Sequence, residues 1–137
     1  MTTPQTENTL LSKAMVDNAL FSGLTGLILI GGAAWLDRWL GLNPWLLVAL
    51  GVGLLIYAAD LAWWSRSERW VVAGGRLAVI ADIAWVITAI ALIAFTAVLT
   101  TQGEVALAIV SLIIAVLAAA QRQGLRRMSR MEGADTV

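Results

Sequence analysis

Four stretches of the chain, 18–36, 39–59, 83–103 and 105–121, carry no charged residue at all. At a rise of about 1.5 Å per helical residue, each covers most or all of a hydrocarbon layer roughly 30 Å thick. The middle two gain further turns past a single acid. Inside lipid, a backbone must satisfy its own hydrogen bonds, and uninterrupted apolar runs of this length do so as helices. The expectation is an all-α fold: a four-helix transmembrane bundle, up-down-up-down, with both termini cytoplasmic. The helices are expected at about 14–36, 44–65, 72–100 and 103–122, in one domain spanning 1–137, with flexible tails at 1–9 and 131–137.

Composition agrees: 60% of the residues are apolar and 13% charged, and the mean hydropathy is +0.84. Such values lie outside the range of ordinary soluble domains, and no segment is left over to build one. The chain has no Cys and no His. This removes disulfides, thiolate nucleophiles, the commonest haem and metal ligand and the usual general base, so no cofactor, no metal and no enzymatic activity is expected. The first span is not expected to be a cleaved signal peptide. The residues ahead of it are polar with one Lys, and Gly31-Gly32-Ala33-Ala34 leads straight into Trp35.

Orientation follows from the cations. Lys13 precedes the first span, Arg66, Arg69 and Arg76 lie between the second and third, and Arg122, Arg126, Arg127 and Arg130 follow the fourth. The opposite side has only Arg38, beside Asp37. Because Lys and Arg are retained in the cytosol, the placement puts both ends inside, although the formal net charge is zero. Trp35, Trp39 and Trp45 bracket the outer turn and Trp63, Trp64 and Trp70 the inner one, as interface anchors. Asn43-Pro44 reads as an N-cap with Pro at the first helical position, and Thr101-Gln102-Gly103-Glu104 as a capping box. Gly74-Gly75 fits either a longer inner turn or the opening of the third helix. Small residues four apart, at Ala19/Gly23, Ala49/Gly53 and Ser111/Ala115/Ala119, mark faces expected to pack inward.

Two acids interrupt the apolar spans: Asp60 and Asp82, in the repeated pattern Ala-Asp-X-Ala-Trp. The two copies run oppositely through the membrane and nothing else repeats, so the pattern is a coincidence. Intramembrane carboxylates are costly and usually face a bundle interior or water. Reflection about the inner turn places Asp60 and Asp82 at similar depth. Asp17, Asn18 and Gln121 fall at the same boundary, giving a candidate polar cluster of Asp17, Asn18, Asp60, Asp82 and Gln121 in the cytoplasmic leaflet. Such a layer can hold a proton, a cation or a headgroup; the competing reading pairs its acids with Arg66, Arg69, Arg76 or Arg122 and fixes helix register. Tyr57 and Trp85 read as packing residues.

The chain resembles a broad group of small four-helix bacterial inner-membrane proteins with no assigned biochemical role. The resemblance covers nearly the whole membrane part. It rests on Asp17-Asn18-Ala19-Leu20-Phe21-Ser22-Gly23-Leu24-Thr25-Gly26-Leu27, on Trp39-Leu40-Gly41-Leu42, on residues 51–59, on Ala81-Asp82-Ile83-Ala84-Trp85 and on Gln121-Arg122-Gln123-Gly124-Leu125-Arg126-Arg127. That group often has Asn at the position of Asp82 and an acid at that of Ala119. The resemblance implies fold and a multi-pass inner-membrane location, and brings no substrate.

The function classes then order themselves. A small multidrug-resistance type of transporter looks to an embedded Glu in its first helix, where this chain has no acid between 18 and 36. A lipid enzyme would have only Asp, Ser and Thr to work with, and a channel would require an oligomer. The leading expectation is a non-enzymatic accessory, structural or ligand-binding membrane protein, with a small proton-coupled transporter as the alternative. Expected partners are the lipid bilayer, anionic lipid through Arg122, Arg126, Arg127 and Arg130, and a second copy of the chain, but no nucleic acid.

Overall fold

The computed structural model describes residues 4–95, 97 and 99–135, all in helices or short connections. The helices are α1 (Pro4–Gly31), α2 (Ala33–Leu40), α3 (Pro44–Trp64), α4 (Val71–Phe95) and α5 (Thr101–Asp135). Four of them, α1, α3, α4 and α5, are long and apolar enough to cross a membrane. The chain is an all-α bundle of multi-pass membrane type.

Their directions follow from which residues meet. Between α1 and α3, Ser12 reaches Ser65, Gly23 approaches Ala58, and Gly26 approaches Gly51, so one number falls as the other rises and the helices are antiparallel. Between α1 and α4, Leu11 lies against Gly75 and Asn18 against Asp82; both numbers rise, and the helices are parallel. α1 is the central element, packed along both α3 and α5, while α4 packs on α5 and, among the described residues, no backbone approach joins α3 to α5. α3 and α4 are consecutive yet share little backbone contact. The contacts described between them, Trp64 on Gly74 and Tyr57 on Ala78 and Asp82, lie in the half near their connecting turn.

The buried core occupies that same half: Leu11, Met15 and Ala19 of α1, Ala58 and Leu61 of α3, and Val71 and Ala78 of α4, flanked by Tyr57, Trp64, Leu125 and Met128. This explains two differences from the expected boundaries. α1 begins at Pro4 rather than near 14, and α5 continues to Asp135 rather than ending near 122. The packed core itself continues beyond the expected helix ends, with Leu11 fully buried against Gly75 and Gly124 and with Leu125 and Met128 on the same cluster, so both helices run past them on the same side. Residues 4–9 and 131–135 are helical, whereas 1–3, 96, 98, 136 and 137 lie outside the described residues.

At the other end the first span does not run unbroken to 36. It stops at Gly31, and α2 starts after Gly32 and closes on Gly41, whose φ of 74° is the left-handed conformation glycine tolerates best. Asn43 caps α3 as expected, its side chain accepting from the Trp45 N–H at 2.9 Å, with Pro44 at the first helical position. The start of α5 differs from the capping box read at 101–104. The cap is Thr100, one residue earlier: its hydroxyl accepts from the Gly103 N–H at 3.1 Å and donates to the Trp39 carbonyl, tying the start of α5 to the end of α2. Gly74 and Gly75 open α4 rather than lengthening the turn, and Trp64 occupies the space that a side chain on Gly74 would need.

The packing face of α3 is also not the one expected. Ala49 and Gly53 are exposed, and contact with α1 runs through Gly51, where a Cβ would come within 2.7 Å of the Gly26 carbonyl oxygen. Positions two residues away from Gly51 are rotated by about 160° onto the opposite face. In α5, Ser111 is buried but Ala118 rather than Ala119 faces inward.

Candidate functional site

A polar cluster lies inside the bundle, and it joins three helices. Asn18 on α1, 1% exposed, donates from Nδ2 to Oδ2 of Asp82 on α4 at 2.8 Å. Tyr57 on α3 donates its O–H to Oδ1 of the same carboxylate at 3.0 Å, and lies 3.5 Å from Asn18 Nδ2. Ser22, one turn along α1, donates to Asn18 Oδ1 at 3.2 Å. Each oxygen of Asp82 thus meets a neutral donor from a different helix. No cation among the described residues pairs with it.

The helical period explains the assembly. Leu11, Met15, Asn18 and Ser22 recur at three- and four-residue steps along the buried face of α1, as do Val71, Gly75, Ala78 and Asp82 on α4. Asn18 and Asp82 therefore occupy positions where an apolar side chain would otherwise close the core. Isolated polar groups there would be costly, and hydrogen bonding to each other satisfies them.

The five cluster residues expected together fare differently. Asn18 and Asp82 meet. Gln121 is fully buried, but its amide oxygen and nitrogen have no partner among the described residues and do not reach the carboxylate. Asp17 and Asp60 are exposed on the outer surface of the bundle and stand apart from it. The reflection argument equalises depth but leaves rotation free, and Asp60 lies about 100° of helical turn behind buried Leu61. Arg66, Arg69, Arg76 and Arg122 are all exposed, and none makes an ion pair with a described acid; Arg69 instead sits over the Trp70 ring at 5.5 Å. Five of the six tryptophans proposed as anchors are exposed, with the rings of Trp35 and Trp39 tilted by 36° at a centroid distance of 5.2 Å, whereas Trp64 turns inward.

Tyr57 and Ser22 were not expected in the cluster. Tyr57 carries the signal in retrospect: it is the one Tyr of the chain, and it lies near the depth of an acid in a neighbouring span. No spacing rule could give its rotation toward α4.

On the far side of the cluster, α1, α3, α4 and α5 surround a cavity of about 220 Å³. Leu47, Leu50 and Leu54 of α3 form one wall, Trp85, Thr88 and Ala89 of α4 another, Leu107, Val110 and Ile114 of α5 a third, and Ser22 and Thr25 lie on the α1 side. It is almost entirely apolar in character, because Thr25 and Thr88 donate back to the Phe21 and Ala84 carbonyls and Ser22 donates to Asn18. The polar cluster closes its inner end through Ser22. Asp82 also lies on the opposite side of α4's packing seam, along a groove of about 400 Å³ between α4 and α5. No group of acids suited to hold a metal ion occurs among the described residues. Comparison with protein-family models, with curated proteins and with solved structures finds no match.

Proposed function

We propose that the chain is a non-enzymatic membrane protein of the bacterial inner membrane, with both termini in the cytosol. In this reading Asn18, Tyr57 and Asp82 form a clasp that holds α3 and α4 on α1 and closes the inner end of a pocket for a hydrophobic ligand. One observation carries it: a buried carboxylate held by two neutral donors from two other helices, at the closed end of an apolar cavity. α3 and α4 have little other contact, so the clasp sets how far they separate. The hydroxyls lining the cavity are already bonded to their own chain, which supports a binding role over catalysis.

A second reading, a small proton-coupled transporter, is favoured by the position of Asp82 between the α4–α5 groove and, through Asn18 and Ser22, the apolar cavity. An acid reachable in turn from two sides is what proton coupling requires. Proteoliposomes holding a pH-sensitive dye under an imposed proton gradient separate the two. A binding protein leaks no faster than empty vesicles, with or without Asp82→Asn, while Asp82→Ala lowers thermal stability. A proton flux carried by the wild type and abolished by Asp82→Asn overturns the binding reading in favour of transport.

A further inference from the structure

We infer that the α4–α5 groove is a binding site for one anionic phospholipid, with its acyl chain in the groove and its phosphate on Arg122 and Arg126. The groove is floored by small residues of α5, Ala118 and Ala119, and walled by Ile83 and Ile87 of α4, which leaves a valley in the outer surface of the bundle. Its polar end holds two guanidiniums one helical turn apart, both exposed and neither in an ion pair with a described residue. α5 starts at Thr101, so Arg122 lies about 30 Å along its axis, the thickness of the hydrocarbon layer, and both cations fall at headgroup depth. The carboxylate of Asp82, although its residue borders the groove, is 4% exposed and bonded inward to Asn18 and Tyr57, so it does not cancel them. An apolar channel ending in two cations that pair with no acid among the described residues, at the membrane boundary, is complementary to a lipid with a net negative headgroup. Arg127 and Arg130 do not line it. This separates a seated lipid from the diffuse attraction that any basic tail exerts.

The test is lipid retention. Full-length protein is placed in nanodiscs of equal phosphatidylglycerol and phosphatidylcholine, extracted in mild detergent, and its retained phospholipid quantified by mass spectrometry. Phosphatidylglycerol is expected to be enriched about tenfold over phosphatidylcholine. The double change Arg122→Gln/Arg126→Gln should return the ratio to that of the disc, while Arg127→Gln/Arg130→Gln leaves it unchanged. Ala119→Phe, at an exposed position, keeps both cations but fills the valley and should also abolish enrichment. Equal loss in both arginine pairs, full enrichment in Ala119→Phe, or equal retention of the two lipids would each overturn the site.

Discussion

Asp82 is the residue on which the interior is organised, and its energetics are those of hydrogen bonding in a membrane. Side-chain hydrogen bonds between membrane helices contribute about 0.6 kcal/mol on average and up to about 1.7, because the separated helices also find partners. Tyr57→Phe removes the O–H donated to Oδ1 while leaving the ring in place, so it should lower stability by about 0.5–1.5 kcal/mol in reversible SDS unfolding followed by circular dichroism. Asp60→Asn, at an exposed position, should stay within about 0.5 kcal/mol of wild type in the same assay. Comparable destabilisation by both would mean that Asp60 has a partner and that the clasp is not the distinguishing contact. The sequence singles out both acids equally, since each interrupts an apolar run. What distinguishes them is rotation about the helix axis, which depends on which neighbour each helix chooses. That choice is made by packing, and so Tyr57 reads from sequence as one more large apolar side chain.

At the scale of elements, the bundle is set by where backbones can approach. Gly26 and Gly51 bring α1 and α3 together so closely that a Cβ on Gly51 would lie 2.6 Å from Ile30 Cγ1 and 2.7 Å from the Gly26 oxygen. Gly51→Leu should therefore force the helices apart and cost about 1–3 kcal/mol, whereas Gly53→Leu, where nothing lies within 4 Å, should be close to neutral. Thermal unfolding in detergent micelles distinguishes them, and equal effects would show that α1 and α3 do not cross at this point. The small-residue rule recognises that α3 has a close-packing face but selects Ala49 and Gly53, because two registers of small residues coexist on one helix. The caps show a similar division. Asn43 is legible because Pro44 fixes the next residue as the helix start, while two consecutive threonines, Thr100 and Thr101, leave the cap of α5 to the contact between Thr100 and Trp39. Helix lengths beyond the apolar runs were not legible, because they depend on packing at Leu11, Gly124, Leu125 and Met128 that no single helix specifies.

The whole molecule is unequal at its two ends, with a packed core and the helical extensions of α1 and α5 on one side and an apolar cavity among α1, α3, α4 and α5 on the other. The span count and fold class were legible because lipid imposes helix on any long apolar run, a constraint independent of packing. The charge distribution carries a further consequence. Eight of the nine Lys and Arg residues, all but Arg38, fall on the side of the extensions. If retention of cations sets insertion, the cavity end faces away from the cytosol and its ligand arrives from the bilayer or the outer side. The absence of cysteine makes this directly measurable. Gln102→Cys, exposed at the start of α5, should react with a membrane-impermeant maleimide in intact spheroplasts; Ser129→Cys, exposed on the α5 extension, should react only after permeabilisation. The reverse pattern would invert the bundle and place the guanidinium groove in the outer leaflet. Labelling of both sites in intact spheroplasts would contradict a single orientation, since α5 passes once through the hydrocarbon layer between them.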